Sequence, residues 1–87
     1  MRITQKDLEN QVNLINELTN SPIASHTKNN GHYDSNVGHY HLDYAYGGVK
    51  LVKYTNIHGG ITEVSRHGFG TKRELYIFMN GFISSLN

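Results

Sequence analysis

A chain of 87 residues makes one domain, since two halves of that size would each lack an adequate core. Hydrophobic residues are 37% of it and charged residues 17%, with Asn, Ser, Thr and 9 glycines filling the difference. The formal charge of +1 excludes a strongly acidic DNA mimic and a strongly basic nucleic-acid binder, and 10% aromatic residues exclude a disordered chain.

No apolar run approaches the roughly 18 residues that span a bilayer, so no transmembrane segment and no membrane partner are expected. MRITQKDLEN has no apolar h-region, which argues against a signal peptide. The absence of Cys removes disulfides, thiolate chemistry and Cys-ligated zinc, and points to a cytoplasmic protein.

The first element is a helix. Thr4 and Asp7 stand at capping-box spacing, and Ile3 with Leu8 at that of a hydrophobic staple. Leu8, Val12, Ile15 and Leu18 form its apolar stripe, widened by Leu14, while Asn10, Asn13, Asn16 and Glu17 take the polar face. Asn20-Ser21-Pro22 ends it. Residues 22–36 show little periodicity and read as an extended loop or a short irregular hairpin, with Asn30-Gly31 suited to a type I′ turn.

VGHYHLDYAY at 37–46 alternates as a half-buried strand. Tyr40, Leu42, Tyr44 and Tyr46 share one face; His39, His41, Asp43 and Ala45 share the other. Gly47-Gly48 reads as a tight turn, 49–56 as a second strand, 58–60 as a second turn and 61–67 as a third strand. Ile61 and Val64 fall on opposite faces of that strand unless a bulge intervenes. Thr71 to Glu74 is a full capping box. Leu75, Phe78, Met79, Phe82, Ile83 and Leu86 follow it as a wide apolar stripe, with Gly81 suggesting close approach to the sheet. The order predicts an α+β two-layer sandwich: a three-stranded antiparallel meander with the N-terminal and C-terminal helices on one face. The other face would be open or covered by a second copy, making a homodimer through sheet or helix contacts an expectation.

Several constellations carry candidate chemistry. His39-x-His41-x-Asp43 places alternate side chains about 6.7 Å apart on one strand face. That spacing allows a zinc or nickel site with a carboxylate or His32 as third ligand, or simply a solvated polar face. Tyr40, Tyr44, Tyr46, Tyr54 and Tyr33, interleaved with His41, Lys50, Lys53 and Arg66, suit stacking of a base and holding of its phosphate. Alternatively Tyr40, Tyr44 and Tyr46 are the core face. Gly68-Phe69-Gly70 before Thr71 sits at a helix N-terminus, where backbone N–H groups favour an anion, with Arg66, His67, Lys72 and Arg73 nearby; it serves equally as a flexible connection. Neither glycine pair matches a phosphate-loop pattern. Ser65 and His67 lack an orienting acid. Asp43 and Glu63, if cross-strand neighbours, would need a cleft a domain this small struggles to enclose. An enzyme is therefore not favoured, and no cofactor is expected.

Tyr40-His41-Leu42, Ala45-Tyr46-Gly47-Gly48, Gly59-Gly60, Arg73-Glu74-Leu75-Tyr76 and Phe82-Ile83 together resemble a family of short accessory proteins from tailed phages. Ile3-Thr4, Lys6 to Glu9 and Ser21-Pro22 belong to the same pattern, which spans nearly the whole chain. Extra His and Tyr within 39–46 depart from it, and it supplies no catalytic motif. The resemblance implies a non-enzymatic product acting in the bacterial cytoplasm. Such a product would bind, and inhibit or redirect, a host component such as a defence system, through a protein or a signalling nucleotide. Weak nucleic-acid binding and metal binding through His39, His41 and Asp43 are the alternatives.

Overall fold

The computed structural model describes residues 2–65 and 68–86. The order is α1 (Gln5–Leu18), β1 (His26–Asn29), β2 (His32–Ser35), β3 (Tyr40–Ala45), β4 (Gly48–Tyr54), β5 (Ile61–Glu63) and α2 (Lys72–Ser85). Strands β3, β4 and β5 form the antiparallel meander with β4 central, and β1 with β2 is a separate two-stranded sheet. The segment 22–36 is thus largely a regular hairpin. Its Asn30-Gly31 turn takes φ of 50° and 85°, as a type I′ turn requires.

Both helices start at capping boxes. Thr4 Oγ1 accepts from the Asp7 N–H while the Asp7 carboxylate accepts from the Thr4 N–H, which holds the Asp7 pKa below its ordinary value. Thr71 and Glu74 repeat the arrangement. On α1 the buried residues are Leu8, Gln11, Val12, Ile15 and Asn16, the i, i+3, i+4, i+7, i+8 set of one helical face. Leu14 and Leu18, expected on that stripe, are 40% and 39% exposed, whereas Asn16, expected on the polar face, is fully buried. On α2, Leu75 and Met79 are buried and Phe78, Phe82 and Ile83 pack beside them; Leu86 lies past the helix as its C-cap. A Cβ added at Gly81 would meet nothing within 4 Å, so this glycine mediates no close approach.

The meander's register sorts its side chains. Tyr40 faces Lys53, Leu42 faces Leu51 and Tyr44 faces Val49 on one side; His41 faces Val52 and Asp43 faces Lys50 on the other. Tyr40, Val49 and Leu51 join Leu8, Val12, Ile15, Leu75 and Met79 in one core, so both helices cover the same sheet face. This is the two-layer α+β arrangement.

The β3–β4 turn is Tyr46-Gly47, at φ 53° and 73°, one residue earlier than the glycine pair suggests. Gly48 instead opens β4, where a Cβ would stand 2.6 Å from the Phe69 carbonyl oxygen. Here Val49 and Gly70 exchange backbone hydrogen bonds of 2.9 and 3.1 Å. Strand β5 ends at Glu63, and residues 66 and 67 of the strand expected over 61–67 lie outside the described residues. Val64 and Ser65 both donate to the Leu51 carbonyl, the pattern of a bulge. Val64 packs on the core and Ile61 is exposed, so the two do face opposite ways.

The Asn16 side chain fastens α1 to the sheet. Its Nδ2 donates to the Tyr40 carbonyl at 3.0 Å and its Oδ1 accepts from the Tyr40 N–H at 2.9 Å. Asn16→Ala would leave two backbone groups without partners and is expected to cost about 2–3 kcal/mol in urea unfolding. An unchanged midpoint would mean that water replaces the amide. Gly81→Ala, with open space around it, is expected to raise stability by about 1 kcal/mol. A loss in the same assay would show that α2 needs the glycine.

Candidate functional site

The sheet face that the helices leave uncovered carries a cluster of rings. It exists because β3 alternates: His39 and His41 point away from the helices, and Tyr54, which donates its N–H to the His39 carbonyl, joins them from β4. The rings of His39 and His41 stack with centroids 5.9 Å apart and planes within 9°. Tyr54 lies 4.4 Å from His41 and 6.1 Å from His39, and His26 meets its edge at 5.6 Å. Val52, opposite His41, has no exposed surface, so the face carries its own cover of side chains.

The two histidines differ in role. His39 Nδ1 is hydrogen-bonded to the Pro22 carbonyl at 2.7 Å, and its N–H donates to the Asn36 carbonyl. It latches the preceding segment onto the strand. His41 Nδ1 is buried with no hydrogen-bond partner. Burial pushes the His41 pKa down from its ordinary value, and the neighbouring His39 adds to the effect.

At the far end of the same face Lys50 Nζ lies 3.7 Å from Glu63 Oε1 and 4.3 Å from the Phe69 ring. Tyr46, 94% exposed, meets that ring edge-on at 5.5 Å. Glu63 Oε2 accepts from the Gly68 N–H at 2.8 Å.

The residues singled out from sequence are therefore divided. His41, Tyr54 and Lys50 share the uncovered face. Tyr40 is a core residue, and Lys53 lies on the helix side with its Nζ 5.8 Å from the Tyr40 ring. Tyr44 stands at the rim of that side, where burial first and then the charge of Glu9 raise its hydroxyl pKa. Lys72 and Arg73 are exposed on the first turn of α2, and Arg66 and His67 lie outside the described residues. A single Tyr and Lys surface is not formed, because strand alternation sends Lys50 and Lys53 to opposite faces.

The remaining constellations of the sequence take other arrangements. Among the described residues no group of three or more His, Cys, Asp or Glu is placed to hold a metal ion. His39 and His41 stack flat instead of converging, and His39 Nδ1 is engaged at Pro22. The N–H groups of Gly68, Gly70, Thr71 and Glu74 go to Glu63, Val49, the Glu74 carboxylate and Thr71 Oγ1, so these four donors are engaged within the chain. Asp43 and Glu63 stand on strands that flank β4, facing Lys50 and Val52, and are not cross-strand neighbours. Ser65 Oγ accepts from the Leu51 N–H at 3.2 Å, a structural use of the hydroxyl.

Two places escaped the sequence reading. A cleft of about 700 Å³ between the hairpin and the β4–β5 connection gathers His26, His32, Tyr33, Tyr54 and His58. The Asn30-Gly31 turn was its only local signal, because the histidines come from three separate segments. A smaller groove of about 260 Å³ runs along β3, lined by Glu9, Val12 and Asn13 of α1 and by residues 39–42 and 44.

Comparison of the chain with protein-family models, with curated proteins and with solved structures finds no match. Among the described residues no helix is long and apolar enough to cross a membrane.

The half-buried His41 ring gives a pH dependence. Above its ordinary value of 6.5 the ring is neutral whether the chain is folded or unfolded. As the pH falls through 6.5 the unfolded chain takes up the proton first, so stability declines until the folded ring is protonated as well. Urea unfolding between about pH 5 and pH 7.5 should show this decline, and His41→Phe should flatten it. An equal decline in the variant would assign it to other groups.

Proposed function

We propose that this chain is a non-enzymatic phage accessory protein. It acts in the bacterial cytoplasm by binding a host component, a defence system foremost, and inhibiting or redirecting it. The observation that carries the binding reading is the ring cluster of His39, His41 and Tyr54 on a face that neither helix covers, with a buried His41 nitrogen left unpartnered. Flat rings supply contact area with little side-chain entropy to lose. The phage source and the cytoplasm rest on the resemblance across Tyr40-His41-Leu42, Ala45 to Gly48 and Arg73 to Tyr76, and on a chain without cysteine.

A signalling nucleotide as target is favoured by a separate feature. The cleft between the hairpin and the β4–β5 connection offers the rings of Tyr33 and Tyr54 for stacking and the imidazoles of His26, His32 and His58 for phosphate oxygens. Nucleic acid is less well served. Lys50 is held by Glu63, Lys53 lies on the opposite face, and Lys72 and Arg73 stand on α2, so these cations make no continuous track.

Affinity capture from bacterial lysate tests the reading, with mass spectrometry for proteins and for small nucleotides. The wild-type chain should retain a partner that Tyr54→Ala, with unchanged far-ultraviolet circular dichroism, retains at least about tenfold less. Nothing retained, or equal retention by the variant, would overturn it.

A further inference from the structure

Strand β3 is an outer strand of the meander, and its outer edge is only half closed. The carbonyl of His39 turns inward and accepts from Tyr54, while its N–H goes to Asn36. The backbone groups of His41 and Asp43 turn inward by the same two-residue period. Tyr40, Leu42 and Tyr44 accordingly turn their N–H and C=O groups outward. Strand β4 confirms this. Leu51 and Val49, which face Leu42 and Tyr44, use their own backbone groups on the β5 side, at Val64, Ser65 and Gly70. Tyr40 is closed off by Asn16. Leu42 and Tyr44 are left as a short open template, beside the groove lined by Glu9, Val12 and Asn13.

Helix α1 keeps step with this edge. From Asn16 back to Glu9 the helix rises about 10.5 Å, and from Tyr40 to Tyr44 the strand advances about 13 Å. Asn16 therefore stands at Tyr40, Asn13 near Leu42 and Glu9 near Tyr44. Two carboxylates flank the open stretch itself, while the nearest cations stand at its ends, Lys53 by Tyr40 and Lys72 in a separate cavity with Tyr44 and Gly47. Glu9 lies on the helix side. Asp43 lies on the other side, opposite a Lys50 whose ammonium is engaged by Glu63 and Phe69.

We infer that the open edge at Leu42 and Tyr44 takes an extended, basic segment of a partner protein as an added β-strand. The inference rests on the binding reading above and names the chemistry of the partner. Backbone hydrogen bonds to Leu42 and Tyr44 hold such a segment. A lysine or arginine directed to the helix side lays its aliphatic stem on Val12, Leu42 and Tyr44 and brings its charge to Glu9. A basic residue directed to the other side meets Asp43. A second copy of this chain fits poorly. Pairing through Leu42 and Tyr44 of both copies puts Asp43 opposite Asp43 at the two-fold axis, and pairing centred on Leu42 needs the Tyr40 groups that Asn16 already occupies.

The probe is a capped synthetic hexapeptide alternating lysine and valine, titrated into the uniformly 15N-labelled full chain. Saturable shifts of the Leu42 and Tyr44 amides are expected. Alternate N-methylation of the peptide, which removes its edge-facing N–H groups and keeps its side chains, should weaken binding at least about tenfold, and so should replacing lysine by glutamate. Tyr44→Pro, which deletes an outward N–H and no ladder bond, should do the same, and the methylated peptide reads the same contact should that variant fail to fold. Equal binding of the methylated peptide, shifts away from 42–44, or no saturation overturns the inference. A dimer in sedimentation equilibrium that Tyr44→Pro dissociates also overturns it, in favour of a second copy. If Tyr54→Ala loses the lysate partner while Tyr44→Pro keeps it, the edge inference fails and the binding reading stands.

Discussion

The paired hydrogen bonds between the Asn16 amide and the Tyr40 backbone set the terms for much of the structure. The apolar contacts of Leu8, Val12 and Ile15 hold α1 on the sheet, but such contacts are non-directional and tolerate sliding. A side-chain amide that donates and accepts at one residue does not. It fixes both the rotation of α1 and its position along β3. It also satisfies two groups at the edge of the sheet that would otherwise be buried unpaired or bared to another chain. The same placement brings Gln11 to α2, where its Nε2 donates to Asn80 Oδ1 and ties the two helices across the core.

The uncovered face is organised by a second polar residue, His39. Its bond to the Pro22 carbonyl draws the segment after α1 back to the start of β3. Ser35 donates to the Ile57 carbonyl and Gly38 to that of Tyr54, so hairpin and meander meet where His39 and Tyr54 stack. The cluster is therefore a junction as well as a surface. His41 sits two residues further on, half-buried between the rings of His39 and Tyr54, with its Nδ1 turned inward. Protonating such a ring adds a charge where solvation is poor and another imidazole is close, which is why burial and His39 act in the same direction.

Most of the frame was legible in the sequence for a reason common to its parts: local signals agreed with one another. Thr4 with Asp7 and Thr71 with Glu74 announce helix starts, and Leu75, Met79 and Phe82 recur at helical spacing behind one of them. What was not legible depended on partners distant in the chain. Asn16 looks like a solvent residue until its partner 24 positions away is known. Leu14 and Leu18 look like core until that amide has rotated the helix. Tyr46 occupies a left-handed turn position that usually goes to Asn or Gly, so glycine content placed the turn one residue late. The site was harder still. Period two put Lys50 and Lys53 on opposite faces, but only the register showed which one joined the histidines. The groove along β3 combines a helix and a strand some thirty residues apart, and no linear motif spans that distance.

The two outer sides of the meander are treated differently, and the contrast gives the β3 edge its meaning. On the β5 side the strand is three residues long. It ends in the bulge at Val64 and Ser65, after which Gly70 crosses to pair with Val49. Short strands and bulges are the usual means by which an edge is made unfit for pairing. The β3 side has neither device. It is six residues long and flat enough to pair along its whole inner side with β4. Its protection is one amide at Tyr40 and two carboxylates at Glu9 and Asp43. Carboxylates repel a copy of themselves and attract cations, so they leave the edge selective rather than closed. An edge guarded by charge and not by shape admits a strand of the opposite charge.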